Sequence, residues 1–226
     1  MSGVTVVMAV LNGAGRLPQA LDSIRAQTAR VAEIVLVDGG STDGTRELAA
    51  AAADVRLVDQ RGPALADAYN TGIAEAQGSH VAFLAHDDVW LPRKIEVQLA
   101  RLAAQPPADA VVGHAQYVIE DGDTAPPGFR TELLDGPRPA RIMETLLAPR
   151  AVLDLVGPFR REVSPADDVD WFARAQDLGV KVAVVPELVL RKRVHAGSTA
   201  HTSPATGSGL LGTLRASVER KRAASG

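Results

Sequence analysis

Glu33-Ile34-Val35-Leu36-Val37-Asp38-Gly39-Gly40-Ser41-Thr42-Asp43-Gly44-Thr45 begins as an apolar run, ends it in a carboxylate, turns on glycines and passes into helix-forming residues. Residues 33–37 have the pattern of a buried strand, and helix propensity resumes from Thr45 through the alanine-rich 47–53. The same succession recurs on both sides. Residues 4–11 are a continuous β-prone run, followed by Leu17, Ala20, Leu21 and Ile24 at the i, i+3, i+4, i+7 spacing of an amphipathic helix. Residues 55–58 read as a short strand, 64–76 as a helix and 81–84 as a fourth strand. Pro92 suits the start of the next helix, where a missing N–H costs nothing, and Leu91, Ile95, Leu99 and Leu102 keep one apolar face. This order predicts an α/β fold with a Rossmann-like, mostly parallel sheet flanked by helices. Such sheets collect ligands at the carboxyl ends of their strands.

Beyond Pro106-Pro107 the pattern is less regular. Residues 110–113 and 117–119 read as strands, 120–139 as a loop dense in Gly, Pro and acid, 143–156 and 168–178 as helices, and 180–185 as a strand. The polar stretch 197–209 reads as mobile and 210–222 as a short basic amphipathic helix. No linker divides the chain, so the expectation is one domain over 1–226, with halves at 1–105 and 106–200 and a flexible tail at 201–226.

Composition narrows the classes. The 226 residues are 46% hydrophobic and 23% charged, enough for one sizeable core. A net charge of −3 and a pI near 6.0 give no global basic field, so nucleic acid is not expected as a partner. The apolar run 4–11 is far shorter than the roughly 20 residues of a membrane helix, and no signal-peptide pattern frames it. The expectation is a cytoplasmic protein without a transmembrane segment, with 210–222 as the one candidate for weak contact with an anionic membrane. Zero cysteines exclude disulfides, thiolate metal sites and a Cys nucleophile, so any metal must be held by carboxylates and imidazoles.

One rival fold needs weighing. Asn12-Gly13-Ala14-Gly15-Arg16-Leu17-Pro18 follows a strand and opens a helix, with Asp38 closing the next strand, which is most of a dinucleotide-binding fingerprint. Pro18 stands where the third glycine belongs. The Tyr and Lys four apart of a short-chain dehydrogenase are also missing, because Tyr69 and Tyr117 are followed at that spacing by Ile73 and Asp121.

Three stretches together carry a different resemblance: Val37 to Thr45, His86-Asp87-Asp88 and Asp167-Asp168-Val169-Asp170-Trp171, with Arg193-Val194-His195 later. The chain resembles the inverting family-2 glycosyltransferases of the GT-A fold from Val4 to about Ser198. A first strand ending near an Asn is matched by Val7-Met8-Ala9-Val10-Leu11-Asn12. The second strand resembles the family's Val-Asp-Asp-Gly-Ser-Thr-Asp-Gly-Thr, with Gly39 at the second Asp. Asp67-Ala68-Tyr69-Asn70-Thr71-Gly72 matches a segment that accompanies Asp-Gly-Gly in a subgroup. The resemblance implies a nucleotide-sugar donor, with UDP as its nucleotide, contacted by Ala9, Asn12, Asp38, Asp67, Asn70, Asp87, Gly157 and Arg193. Residues around Ser41 would offer helix N–H groups to the diphosphate, while Asp43 has a sufficient role as a helix cap.

Ala82 to Pro92 resembles the family's Asp-x-Asp metal motif, with Ala85 at its first Asp; the resemblance assigns a divalent cation, Mn²⁺ or Mg²⁺, to Asp88 and His195. Arg193 has two readings, phosphate support or a surface role. Ser164-Pro165-Ala166-Asp167 reads as a helix cap that accounts for Asp167. Asp168, three and four residues before Trp171 and Phe172, falls on the side the helix buries, and it matches the family's catalytic base. Asp170 reads as solvated, and Trp171 as either a core residue or an acceptor platform, with core preferred. Leu155-Val156-Gly157-Pro158-Phe159-Arg160 resembles a loop beside the donor sugar, although Gly157 also reads as a helix stop. The implied reaction is inverting transfer to an acceptor hydroxyl on a glycan, a lipid-linked acceptor or a small molecule. A sugar-phosphate nucleotidyltransferase and a non-catalytic nucleotide-sugar binder are the alternatives.

Overall fold

Nine strands among the described residues make one mixed sheet in this computed structural model, which describes residues 3–164 and 166–197. The first part follows the expected alternation: β1 (Val4–Val10), α1 (Leu17–Arg25), β2 (Val31–Asp38), α2 (Thr45–Ala51), β3 (Val55–Asp59), α3 (Leu65–Glu75) and β4 (His80–Ala85). A two-residue β5 (Val89–Trp90) and α4 (Lys94–Ala103) follow. Pro92 lies in the turn before α4 rather than inside its first turn. The second part holds β6 (Ala110–Val118), β7 (Arg138–Pro139), β8 (Leu147–Pro149), α5 (Arg150–Val156), α6 (Asp167–Asp177) and β9 (Val182–Arg193).

The sheet order is β3-β2-β1-β4-β8-β6-β9-β5, with β7 paired to β6. Strands β1 to β4 run parallel; β8 is inserted antiparallel between β4 and β6, and β6 runs parallel to β9. The alternation of β1 shows why both faces are covered. Val4, Val6, Met8 and Val10 point into a core shared with Leu17, Leu21 and Ile24 of α1 and Ile95 of α4. Val7 points the other way, into a core with Tyr69, Phe83, Phe159 and Trp171. Gly72 lets α3 lie close on β1, since a Cβ there would meet Val7 Cγ1 at 2.2 Å.

The second half departs from expectation in ways that matter for the site. Residues 110–118 are one strand, not two. The expected helix over 143–156 is a 3₁₀ turn (Met143–Thr145), then β8, then a seven-residue α5. Pairing with β4 claims Leu147 to Pro149, and the residue before a proline favours extended backbone. The strand expected to end at residue 185 runs on to Arg193. Pro186 does not end it, because the register slips there: Val112 pairs with Val184 and His114 with Leu188, and the bulge absorbs the missing N–H. The loop over 120–139 contains a 3₁₀ turn (Thr131–Leu134) and β7. The segment 210–222 and nearly all of 197–209 lie outside the described residues. Among the described residues no helix is long and apolar enough to cross a membrane.

Candidate active site

The turns after β1 and β2 are sewn together. Asn12, at φ +51°, donates its backbone N–H to Ser41 Oγ (2.8 Å) and accepts at Oδ1 from the Thr42 N–H (2.8 Å). The Gly13 N–H bonds Thr45 Oγ1 (2.9 Å), and the Ala14 N–H bonds Asp43 Oδ2 (3.0 Å). A Cβ on Gly13 would lie 2.4 Å from His86 Cδ2, so only glycine lets the His86 ring close on this turn. Asp38 is buried at the end of β2 and accepts the N–H groups of Gly40 and Ser41 and one arm of Arg46 (2.8 Å). Burial works against its charge, yet these donors hold its pKa below the usual carboxylate value. The N–H groups of Ser41 and Thr42, expected to face a diphosphate, are thus taken by Asp38 and Asn12, and helix α2 begins only at Thr45.

Asp87 and Asp88, at the end of β4, have different fates. Asp88 is fully buried: Oδ1 accepts the Arg193 N–H (2.9 Å) and Oδ2 accepts from Lys192 Nζ (2.7 Å), which also lies 3.0 Å from Glu144 Oε1. Burial opposes the charge of Lys192, but Asp88 and Glu144 together with Asp87 hold it protonated, well above its ordinary value. Asp87 instead meets His195, with Oδ2 2.9 Å from Nε2. Burial disfavours its charge, yet Lys192 and the two imidazoles of His86 and His195 keep its pKa low. His195 thus meets Asp87, while Asp88, expected to hold a cation together with His195, is engaged by Lys192 and the Arg193 N–H. Arg193 is buried and committed to protein: it donates to Glu120 Oε1 (2.7 Å), to the Asp87 carbonyl (3.1 Å) and to Gln19 Oε1.

Helix α6 brings three carboxylates. Asp168 accepts the Val169 N–H (2.7 Å), and burial, then the charge of Glu144, pushes its pKa up to about 6; Asp167 adds to this and Lys192 opposes it. It is partly exposed rather than on the buried side. Asp167 is buried, and its pKa also rises to about 6 through burial. The cap reading of 164–167 needs correction: Ala166 is the N-cap, and Ser164 Oγ bonds the Asp167 carboxylate (3.0 Å) instead of a backbone N–H. Asp170 is not solvated but fully buried, gripped by Arg160 and by Arg174 (2.8 Å). Trp171 is core.

Arg174 carries this grip to the carbonyls of Val156, Gly157 and Pro158, and Gly157 ends α5 at φ +83°. Asn70 forms a two-way clamp on the backbone of Phe159, donating to its carbonyl and accepting its N–H, both at 2.8 Å. Asp67 takes the Ala64 N–H (2.9 Å) and Arg161 (2.8 Å). Asp67 and Asn70 thus hold the segment that follows Gly157. Ala9 sits mid-sheet between Val37 and Ala85, near the carboxyl ends of β1, β2 and β4.

The sequence profile described as glycosyl transferase family 2 matches residues 5–160. The chain belongs to this family. It is 28% identical over 217 residues to an uncharacterised glycosyltransferase of Rickettsia prowazekii, covering 88% of this chain and 66% of that one. It is 26% identical over 204 residues to glycosyltransferase AglE of Haloferax volcanii, covering 82% and 65%. The chain thus spans about two thirds of the length of the curated relatives it matches. Among solved structures, Staphylococcus aureus TarS in complex with UDP-GlcNAc superposes with a TM-score of 0.74 at 16% identity, over 97% of this chain and 66% of that one. Glucosyl-3-phosphoglycerate synthase from Mycobacterium tuberculosis, in complex with Mn²⁺, UDP and phosphoglyceric acid, gives 0.69 at 21% identity, over 96% and 78%. These neighbours share the GT-A fold.

As a family-2 chain the protein leaves no room for the dinucleotide reading, because the Gly13 and Ala14 N–H groups that would face a pyrophosphate are already bonded. What sequence reasoning missed are Lys192, Glu144, Glu120 and Gln19. The strand reading stopped at Pro186, which hid the alternation that puts Lys192 in the sheet opposite Tyr117. Glu144 lay in a stretch read as helix. Among the described residues no group of three or more His, Asp or Glu side chains converges as a metal cage.

Proposed function

We propose that this chain transfers a sugar from a UDP-sugar to an acceptor hydroxyl with inversion, Asp168 acting as the base. The observation that carries the reading is the position of Asp168: it is the partly exposed carboxyl in the first turn of α6, beside the buried Asp167, and burial and the charge of Glu144 raise its pKa to about 6. That value suits a group that must be ionised yet basic enough to take a proton near neutrality. Asp168 accepts the acceptor's hydroxyl proton while that oxygen forms the new bond to the anomeric carbon. The bond from that carbon to the diphosphate oxygen breaks on the opposite face, and the nucleoside diphosphate leaves with the electron pair. A positioned base contributes about 10²–10⁴ in rate. Inversion rests on the family resemblance alone; the uridine donor rests on that resemblance and is supported by the UDP-GlcNAc complex of TarS and the UDP complex of the mycobacterial synthase.

The donor set fits a divalent cation at Asp87 and His195 rather than at Asp88. Asp87 Oδ2 and His195 Nε2 are hydrogen-bonded at 2.9 Å, and a cation held by both would take the place of the proton they share. Both oxygens of Asp88 are already engaged. A cation held there would offset the charge that grows on the departing diphosphate. Acceptor chemistry stays at the level of a hydroxyl on a glycan, lipid-linked or small-molecule acceptor, and the cytoplasmic setting is part of the proposal.

Calorimetric titration with UDP, GDP and dTDP, each with Mn²⁺ and again with chelator, tests this. UDP is expected to bind, and to bind more tightly with Mn²⁺. If none of the three binds in either condition, the donor reading fails.

A further inference from the structure

Arg193 is neither a surface residue nor open to a phosphate. Its side chain is 1% exposed, and each nitrogen of the guanidinium is engaged: Nε by Glu120 Oε1 (2.7 Å), Nη1 by the Asp87 carbonyl (3.1 Å) and Nη2 by Gln19 Oε1. Glu120 supplies the counter-charge. The position of Glu120 is itself fixed. Residues 120–123 form a β-turn closed by the Asp123 N–H on the Glu120 carbonyl (2.9 Å), with Gly122 at φ +89° in the third position, where glycine accepts the positive φ. Asp123, at the far end of the turn, receives Arg16 Nη2 on both oxygens (2.6 and 2.8 Å). Arg16 and Gln19 stand at the start of α1, three residues apart and so on one face. Two rungs therefore join α1 to this turn: Arg16 to Asp123 directly, and Gln19 to Glu120 through Arg193. Arg193 carries the link onward to the backbone of Asp87, whose carboxylate meets His195 (2.9 Å).

We propose that the turn over 120–123 is a latch, in which Glu120 and Asp123 are positioning residues that hold Asp87 toward His195 through Arg193. The inference rests on the cation placement proposed above. A guanidinium removed from water needs a carboxylate. Without Glu120 its remaining partners are neutral, and it is drawn to the carboxylate of Asp87, whose carbonyl it already touches. A carboxylate that turns to Arg193 leaves His195. Asp123 acts one step further out, by fixing the turn that presents Glu120.

The test combines hydrogen exchange of the nucleotide-free protein with calorimetry of UDP, in Mn²⁺ and in chelator. It compares wild type with Glu120→Gln, Asp123→Asn and, as a control, Asp121→Asn, an exposed position in the same turn. Glu120→Gln keeps an oxygen for Arg193 and removes only the charge. Both latch variants are expected to exchange faster at 85–88 and 193–195 while β1 and β2 exchange as in wild type. They are also expected to bind UDP about tenfold more weakly in Mn²⁺, the low end of what an outer partner of a metal ligand contributes, with no change in chelator. Asp121→Asn is expected to match wild type in both measurements; an equal change there overturns the assignment, since net charge and not the latch would be at work. Faster exchange throughout the sheet overturns it, because Glu120 would then serve the fold at large, and unchanged exchange at 85–88 overturns it too. Wild-type affinity that does not depend on Mn²⁺ overturns the cation placement and this role together, whereas Mn²⁺ dependence that survives intact in both variants removes the latch alone.

Discussion

Lys192 Nζ lies 2.7 Å from Asp88 Oδ2, so a cation from the last strand in the chain meets a fully buried carboxyl just past the fourth; burial raises the pKa of Asp88 to about 7, and Lys192 opposes that rise. The same carboxylate takes the Arg193 N–H through its other oxygen. This pair fixes the end of β9, and with it Arg193 and the approach of His195 to Asp87. It also separates two adjacent aspartates that look alike in the sequence.

Breaking that pair should cost stability. Lys192→Met leaves Asp88 and Glu144 without their shared counter-charge, and loss of one partner of a buried pair is worth about 3–5 kcal/mol. Urea unfolding of Lys192→Met, Asp88→Asn and the double variant should show the double losing less than the sum of the singles. Additive losses would mean that the two residues do not act as a pair.

Asp87 and Asp88 should diverge on substitution. Asp87→Ala is expected to keep the wild-type melting temperature within a few degrees while losing the Mn²⁺-dependent part of UDP affinity, as should His195→Ala. Asp88→Ala is expected to lower the melting temperature first. Full Mn²⁺ dependence in Asp87→Ala would return the cation to another site.

The pH behaviour follows from Asp168. A base works ionised, so turnover should rise with pH through about 6 and level off above it, and Asp168→Asn should lose turnover while keeping UDP affinity. The stability sign is opposite. A carboxyl whose pKa is raised on folding contributes stability that is full below its unfolded value, about 3.9, and is lost as pH rises through about 6. Asp168→Asn should therefore melt no lower than wild type at pH 8, whereas a lower melting temperature would make Asp168 a structural group. Asp167, also raised to about 6, titrates in the same window and is the control substitution.

Asp170→Ala should be destabilising without touching the chemistry directly. It strands Arg160 and Arg174, and Arg174 holds three successive carbonyls of the Gly157 turn. A loss of about 3 kcal/mol is expected, the low end for a broken buried pair, since Arg160 keeps some contact with water. A change below about 0.5 kcal/mol, the usual range for surface sites, would show Asp170 to be solvated after all.

Local pattern was enough to read the first half of this chain. The apolar runs of β1, β2 and β4 are buried on both faces and alternate with helices whose apolar stripes are intact, so periodicity and position coincide. The residue types at the strand ends were legible for the same reason. Local pattern failed where a partner distant in sequence decided the outcome. Leu147 to Pro149 became a strand because β4 offered an edge, β9 ran through Pro186 because β6 could bulge around it, and Asp170 was buried because two arginines met it. The partners of Asp87 and Asp88, more than 100 positions away, were equally beyond the reach of spacing. A chain specifies by its own periodicity which segments can be strands and helices; which carboxylate is buried, paired or left open depends on charges that only the closed sheet brings within 3 Å, where removal from water makes each pairing decisive.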